Sequence, residues 1–326
     1  VHVPDGFLDA PTALAAGVLS AVGLGLALRR VRRAFPPRRV PLIGLAAAFV
    51  FAAQMLNFPV AGGTSGHLIG ATLAAALLGP SAAVLVMSSV VILQCFMFAD
   101  GGVTALGANL FNMAVVAPAV GYGVYQAARR FAGAGLRGRL VAAGFGAWCS
   151  TVAAAVACAG QLALSGTVAW RAAFPAMAGV HMLIGLGEAV ITILIVAAVA
   201  RARPELLEEP DRLARDRGPG EAVALGLLLA LGLVVFVAPF ASPWPDGLQR
   251  VAGSLGFAPR ASAPLVPAPL ARYAVPGLTG AAATVLAGAV GALFAFGAAY
   301  VAARLLTPAT ARRAAAPAAS GEGPDD

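Results

Sequence analysis

Nine long apolar stretches decide what this 326-residue chain can fold into. They run over residues 11–28, 41–57, 67–79, 81–98, 104–127, 141–163, 176–200, 221–240 and 277–303. About 20 apolar residues in a helix cross the ~30 Å hydrocarbon core of a bilayer. Only helices and closed barrels satisfy their own backbone hydrogen bonds there. The pattern predicts an all-α polytopic membrane protein of about nine transmembrane helices. Seven precede a long charged connection and two follow it. Composition agrees: 11% of residues are charged, against about 25% in a soluble domain. Mean hydropathy is +0.86. A soluble globular enzyme and a disordered chain are both excluded.

The basic charge has a topological cause. All 22 basic residues are arginine, and the sequence contains no lysine. Arg29, Arg30, Arg32, Arg33, Arg38, Arg39, Arg129, Arg130, Arg137 and Arg139 fall in one set of connections. Arg201, Arg203, Arg212, Arg215, Arg217, Arg304, Arg312 and Arg313 belong to the same set, which totals 18. The opposite set holds 4: Arg171, Arg250, Arg260 and Arg272. The positive-inside rule makes the rich side cytoplasmic, which places the N-terminus outside and the C-terminus inside. A pI of about 10.6 therefore implies no nucleic-acid partner, and the surrounding partner is membrane lipid. The missing lysine also excludes a phosphate-binding G-x-x-x-x-G-K-[ST] loop. ATP hydrolysis, if it drives this protein, belongs to another polypeptide.

The third stretch is too short for a full crossing. Thirteen helical residues reach about 20 Å. It opens at Gly66-His67 and closes at Gly79-Pro80, after Ala61-Gly62-Gly63-Thr64-Ser65-Gly66. Irregular backbone at membrane depth lines a cavity or is buried in protein, and such interrupted spans point to substrate sites. The connection around 206–220 is the expected linker between a unit at 1–205 and one at 221–306. Residues 307–326, rich in Ala and Pro and acidic at the end, read as a disordered tail. Cys95, Cys149 and Cys158 lie in apolar stretches and read as packing residues rather than a disulfide or zinc framework.

The first ten residues lack both the positive n-region and the apolar run of a signal peptide, so Val1 is expected to remain the terminus. A free α-amine followed by His2 is a chelate. The amine, the His2 amide nitrogen and a His2 ring nitrogen bind one metal through fused rings. His67, at the outer end of the third helix, can supply a fourth nitrogen. Planar nitrogen ligation suits Ni(II) or Cu(II), and imidazole also suits cobalt and zinc. The plainer alternatives are a solvated terminal His2 and a capping or packing role for His67.

The run Val1-His2-Val3-Pro4-Asp5-Gly6-Phe7-Leu8 resembles the start of the CbiM/NikM proteins, the substrate-capture components of cobalt/nickel energy-coupling-factor (ECF) transporters. The resemblance continues through Asn57-Phe58-Pro59-Val60, Gly63-Thr64-Ser65-Gly66-His67-Leu68, Gln94 and the run from Asp100-Gly101-Gly102-Val103-Thr104 to Asn109. Phe111-Asn112-Met113 and His181-Met182-Leu183-Ile184-Gly185-Leu186-Gly187-Glu188-Ala189 complete it. It implies that the terminal amine of Val1, the amide and ring of His2 and the ring of His67 hold the metal. The family has Met where this chain has Val1, and the amine rather than the side chain would be the ligand. Pro243-Trp244-Pro245-Asp246-Gly247-Leu248 resembles the PDGLE loop of the small two-helix subunit, with Gln249 where the family has Glu. The implied function is capture of Ni2+ or Co2+ as cargo, with no resident cofactor. The implied partners are ECF ATPase subunits and a transmembrane coupling (T) subunit in a bacterial plasma membrane.

Polar residues within spans usually face the bundle interior. Asn57 and Gln94, at outer helix ends, are expected to hold the ligands. Asn109, Asn112 and Gln161 suit interhelical hydrogen bonds. His181 and Glu188 share a helix face, as a cation relay or a buried polar pair, and Asp5 and Asp9 are expected to turn the chain. Two other functions remain as alternatives. An intramembrane metalloenzyme would use the histidines with Glu188, but the chain lacks H-E-x-x-H. A passive divalent-cation channel would show carboxylate rings, whereas Glu188 is the one carboxylate deep in a span.

Overall fold

A computed structural model describes residues 2–133, 135–207 and 219–307. The chain is mainly helical. The helices are α1 (Ala10–Ala34), α2 (Val40–Gln54), α3 (Ala71–Leu78), α4 (Pro80–Phe98), α5 (Leu106–Asn109), α6 (Ala117–Ala132), α7 (Leu136–Leu164), α8 (Trp170–Ala202), α9 (Pro219–Phe236), α10 (Gly247–Ser254) and α11 (Gly280–Leu306). Two short strands, β1 (Phe58–Pro59) and β2 (Ser65–Gly66), pair antiparallel in the register Phe58 to Gly66 and Pro59 to Ser65.

Among the described residues, six helices are long and apolar enough to cross a membrane: Ala10–Ala34, Pro80–Phe98, Leu136–Leu164, Trp170–Ala202, Gly220–Phe240 and Gly280–Leu306. Three of the expected spans differ from simple crossing helices, each for a local reason. The second, α2, has 15 residues and stops before Phe58-Pro59, because the residue preceding a proline is driven into extended geometry. The third is only the eight-residue α3. His67 lies outside it, because Gly70 adopts φ 78° at the N-cap and the chain ahead is extended. The fifth is split: α5 passes into a π-helical turn at Leu110–Val116 and then α6. Pro118 lies two residues beyond the widened stretch. It has no N–H to give the preceding turn, and its ring crowds the carbonyl four residues back. The irregular stretch expected before the third helix is the β1–β2 hairpin, whose turn places Gly62 and Gly63 at positive φ.

Packing separates lipid-facing from protein-facing surfaces. α1 exposes Leu14, Val18, Leu19, Val22 and Leu26, and α8 exposes Leu186, Val190 and Leu194. These faces suit lipid tails, which are as apolar as leucine. Protein contacts use small residues. Along α11, Ala283, Ala287, Gly291, Ala295, Ala299 and Ala303 recur every fourth position, and all are buried. That spacing makes one stripe of the helix, and small side chains there let backbones approach closely. α11 lies along α2, which also packs on α9, while α7 lies between α6 and α8. The last two long helices are therefore built onto the first part of the chain through α2. Residues 237–279 between them pass over the loops that carry the histidines.

Candidate metal-binding site

The N-terminal segment is threaded into the protein. Val3 is 0% exposed, and its backbone is fully engaged. Its N–H donates to Asn109 Oδ1 at 2.7 Å, while its carbonyl accepts from Asn109 Nδ2 at 3.0 Å and from Gly102 N–H at 2.8 Å. Two residues on, Asp5 Oδ1 accepts from the Thr104 N–H at 2.8 Å and the Thr104 hydroxyl at 2.6 Å. The Phe7 carbonyl accepts from the Thr167 hydroxyl at 2.5 Å. Asp5 is thus a pin joining two loops as well as part of a turn. Asp9 caps α1 by accepting from Thr12 N–H.

This threading fixes His2, whose side chain is 5% exposed. Its Nε2 lies 3.1 Å from Gln94 Oε1, and its Nδ1 lies 3.3 Å from Asp100 Oδ1. The His67 ring is 5.4 Å from the His2 ring between centroids, tilted by 30°. His67 is buried, with Nδ1 3.1 Å from the carbonyl of Leu68. Burial lowers the His2 pKa below the ordinary histidine value, while Asp100 and Gln94 act in the opposite direction. A depressed pKa favours the neutral ring that metal binding requires.

The loop carrying His67 is held from two sides. Gln54, at the end of α2, donates from Nε2 to the Ile69 carbonyl at 2.8 Å. Glu188, on α8 and 0% exposed, accepts from the N–H groups of Ile69 at 2.5 Å and Gly70 at 2.8 Å. His181, two turns earlier on α8, has Nδ1 2.8 Å from the Met177 carbonyl. His67 and His181 line one small cavity with Gly66, Ile69, Thr151, Ile184, Asp246 and Gly247.

Residues 241–276 cover the histidine loops. Ser65 donates its N–H to the Pro245 carbonyl at 2.9 Å and its hydroxyl to the Trp244 carbonyl at 2.7 Å. Ser242 N–H donates to the Asn57 carbonyl at 2.7 Å, Ser262 N–H to the Asp5 carbonyl at 2.9 Å and Leu270 N–H to the Met97 carbonyl at 2.9 Å. Phe257 packs edge-on against Phe7. Asp246 and Gln249 form a reciprocal capping box at the start of α10. Glutamate and glutamine both serve that role, so Gln249 keeps the structural function open to Glu at its position. Tyr273 donates its hydroxyl to Asp100 Oδ2 at 2.6 Å and accepts from Gln94 Nε2 at 3.1 Å. Loss of water around the ring and the adjacent Asp100 carboxylate push the Tyr273 pKa well above its ordinary value.

The structure therefore brings His2, His67 and Gln94 together. Val1 lies outside the described residues. Asn57 meets the covering loop through its backbone carbonyl, and among the described residues no hydrogen bond joins its side chain to either histidine. Asn112 and Gln161 pair with each other at 2.8 and 2.9 Å, an interhelical amide pair away from the histidines. Sequence reasoning passed over Asp100 and Tyr273 as contacts of this site. Asp100 stood in a quoted motif, but nothing in the sequence shows Tyr273 reaching it. Among the described residues, no three His, Cys, Asp or Glu side chains converge as a metal cluster.

A bundle of lipid-compatible helices with a buried histidine pair beneath a covering loop defines a membrane protein built around a small polar centre. The chain belongs to the CbiM family: residues 2–206 match the family described as cobalt uptake substrate-specific transmembrane region. Residues 220–308 match the PDGLE domain. The putative fused nickel transport protein NikMN of Archaeoglobus fulgidus is 38% identical over 296 residues, covering 89% of this chain and 94% of that protein. The probable fused nickel transport protein LarMN of Lactiplantibacillus plantarum is 32% identical over 269 residues, covering 77% and 80%. A crystal structure described as a truncated transition metal transporter has a TM-score of 0.56 and 35% identity, covering 62% of this chain and 99% of that one. All three relatives are described as metal transport proteins.

Proposed function

We propose that this chain is the substrate-capture membrane component of an ECF-type importer for Ni2+ or Co2+. The observation that carries the reading is the approach of the buried His2 and His67 rings to 5.4 Å between centroids. In this reading the amine of Val1, the amide and Nδ1 of His2, and the His67 ring bind the ion. A chelate from the His2 amide closes through Nδ1, so the ion takes the place of Asp100 beside that nitrogen. Gln94 keeps its contact on Nε2, the usual arrangement for a metal-bound imidazole. Asn57 acts through its backbone, holding the covering loop in place.

The chain crosses the bacterial plasma membrane about nine times, with α2, α3 and the split α5–α6 region completing crossings alongside the six long helices. Its first residues and covering loop face outward. Residues 1–205 form the capture unit and 221–306 the PDGLE unit. Two ATPase subunits and a transmembrane coupling subunit supply the energy, since this sequence has no lysine for a phosphate-binding loop. A metalloenzyme reading would need Glu188 as a base. Both of its oxygens already accept backbone N–H groups.

The test is equilibrium binding of Ni2+ and Co2+ to the purified full chain, with His2→Ala and His67→Ala beside it. Each substitution should remove high-affinity binding and leave helix content unchanged. Unaltered affinity in both variants would overturn the assignment.

A further inference from the structure

Three non-glycine residues among those described have positive φ: Ala99 at 52°, Arg272 at 56° and Tyr273 at 56°. All three flank one hydrogen bond, from the Tyr273 hydroxyl to Asp100 Oδ2 at 2.6 Å. Such backbone is costly for residues with a Cβ and persists where the surroundings fix it. Ala99 ends α4 and turns Asp100 towards His2. Arg272 and Tyr273 turn the second unit's chain so that the tyrosine reaches the first unit. Its ring stacks on Phe98, with centroids 4.7 Å apart and planes 22° apart.

The hydrogen bonds around Tyr273 form a directional set. A tyrosine hydroxyl has one proton, and here it goes to Asp100. The oxygen then offers Gln94 only a lone pair, so Gln94 must present its NH2 group to Tyr273. That orients Gln94 Oε1 towards His2 Nε2, at 3.1 Å. An oxygen there requires a proton on Nε2, and in the neutral ring that proton leaves the Nδ1 lone pair facing Asp100 Oδ1, 3.3 Å away. Two acceptors facing each other make a place for a cation.

We propose that Tyr273 is a positioning residue through which the PDGLE unit sets the orientation and tautomer of His2 for a divalent transition-metal ion. This rests on His2 being a ligand, as proposed above. Tyr273→Phe keeps the stacking on Phe98 and removes only the hydroxyl. The Gln94 amide is then free to turn over and offer NH2 to His2, favouring the tautomer with the proton on Nδ1.

The experiment uses the full chain with 15N-labelled histidine. Only three histidines are present, and ring 15N shifts distinguish the tautomers. In the metal-free wild type the His2 ring should carry its proton on Nε2. In Tyr273→Phe that signature should be lost while the His181 signals stay in place. Ni2+ affinity should fall about tenfold, the scale set by one misplaced hydrogen-bonding group beside a ligand. Gln94→Ala in the Tyr273→Phe background should add little, because both changes break one chain of contacts. A wild-type His2 tautomer and wild-type Ni2+ affinity in Tyr273→Phe would overturn the inference, as would fully additive losses with Gln94→Ala. His2→Ala serves as the separate control. If it still binds Ni2+, the ligand assignment fails, whereas the metal-free NMR result still judges the role of Tyr273.

Discussion

Glu188 grips the backbone of Gly70. Its Oε1 accepts the Gly70 N–H at 2.8 Å, and its Oε2 accepts the neighbouring Ile69 N–H at 2.5 Å. A carboxylate has two acceptors and no donor, which matches two backbone donors that have no helical partner ahead of α3. The buried carboxyl group on α8 therefore shapes the loop that carries His67.

Glu188→Gln tests this clamp. Glutamine supplies one acceptor and turns its NH2 towards the other backbone N–H, leaving a buried donor unsatisfied. The expected loss is about 1–3 kcal/mol of stability, read as a lower thermal midpoint of the detergent-solubilised protein. Ni2+ affinity should fall with it, because Gly70 is three residues from His67. A variant with wild-type midpoint and affinity would show that the carboxylate does not hold the loop.

Gly102→Ala tests the threading of the N-terminus. A Cβ at Gly102 would lie 2.2 Å from the Asp5 nitrogen and 2.7 Å from its Cα. Both are backbone atoms, so the segment must move rather than a side chain. The expected outcome is loss of Ni2+ binding with helix content retained by circular dichroism. Retained affinity would separate the site from the path of residues 2–7.

The sequence made the helical architecture legible because lipid demands long apolar runs, and α1, α4, α7, α8 and α11 contain or lie close to their expected ranges. It also brought His2, His67 and Gln94 forward. The α-amine and amide beside an imidazole suggested a chelate at His2, and its place at the outer end of a span put Gln94 forward. What stayed hidden depends on backbone geometry. The hairpin at 58–66 moves His67 out of α3, and a left-handed turn at Ala99 aims Asp100 at His2. Tyr273 lies in an irregular loop with no periodicity to place it, and two consecutive left-handed residues put it beside Gln94. Asn57 was chosen for a side chain at an outer helix end, whereas its carbonyl makes the contact.

The proposed orientation rests on arginine placement and is open to labelling. Ser254 is exposed in the covering region, and Ala127 is exposed near Arg129 and Arg130 on α6. In a Cys149→Ser background, Ser254→Cys should react with a membrane-impermeant maleimide on intact cells. Ala127→Cys should react only after the cells are opened. Cys95 and Cys158 are buried and should remain silent. Reaction of both introduced cysteines from the same side would invalidate the proposed topology.

The sharpest prediction concerns a group that a side-chain scan does not reach. In a protein whose terminus is Val1, the proposed chelate is anchored on an amine. Adding residues ahead of Val1 turns that amine into an amide, which binds metal only after losing its proton. The extension must also leave the space beside His2, whose side chain is 5% exposed. The His2 ring, its contact with Gln94 and the His67 ring all survive, so the change isolates the amine. Altering groups that merely orient ligands costs about 10–100-fold in metal affinity. Loss of an anchoring ligand should therefore exceed about 100-fold. Val1→Met keeps the amine and should bind as the parent does, and a tag placed after Asp326 supplies the control for added length. The measurement is Ni2+ affinity by competition with a chromogenic chelator, with the intact mass confirming that the extension is retained. An extended protein that binds Ni2+ as tightly as the parent would remove the amine from the ligand set and leave His2 and His67 to hold the ion without it.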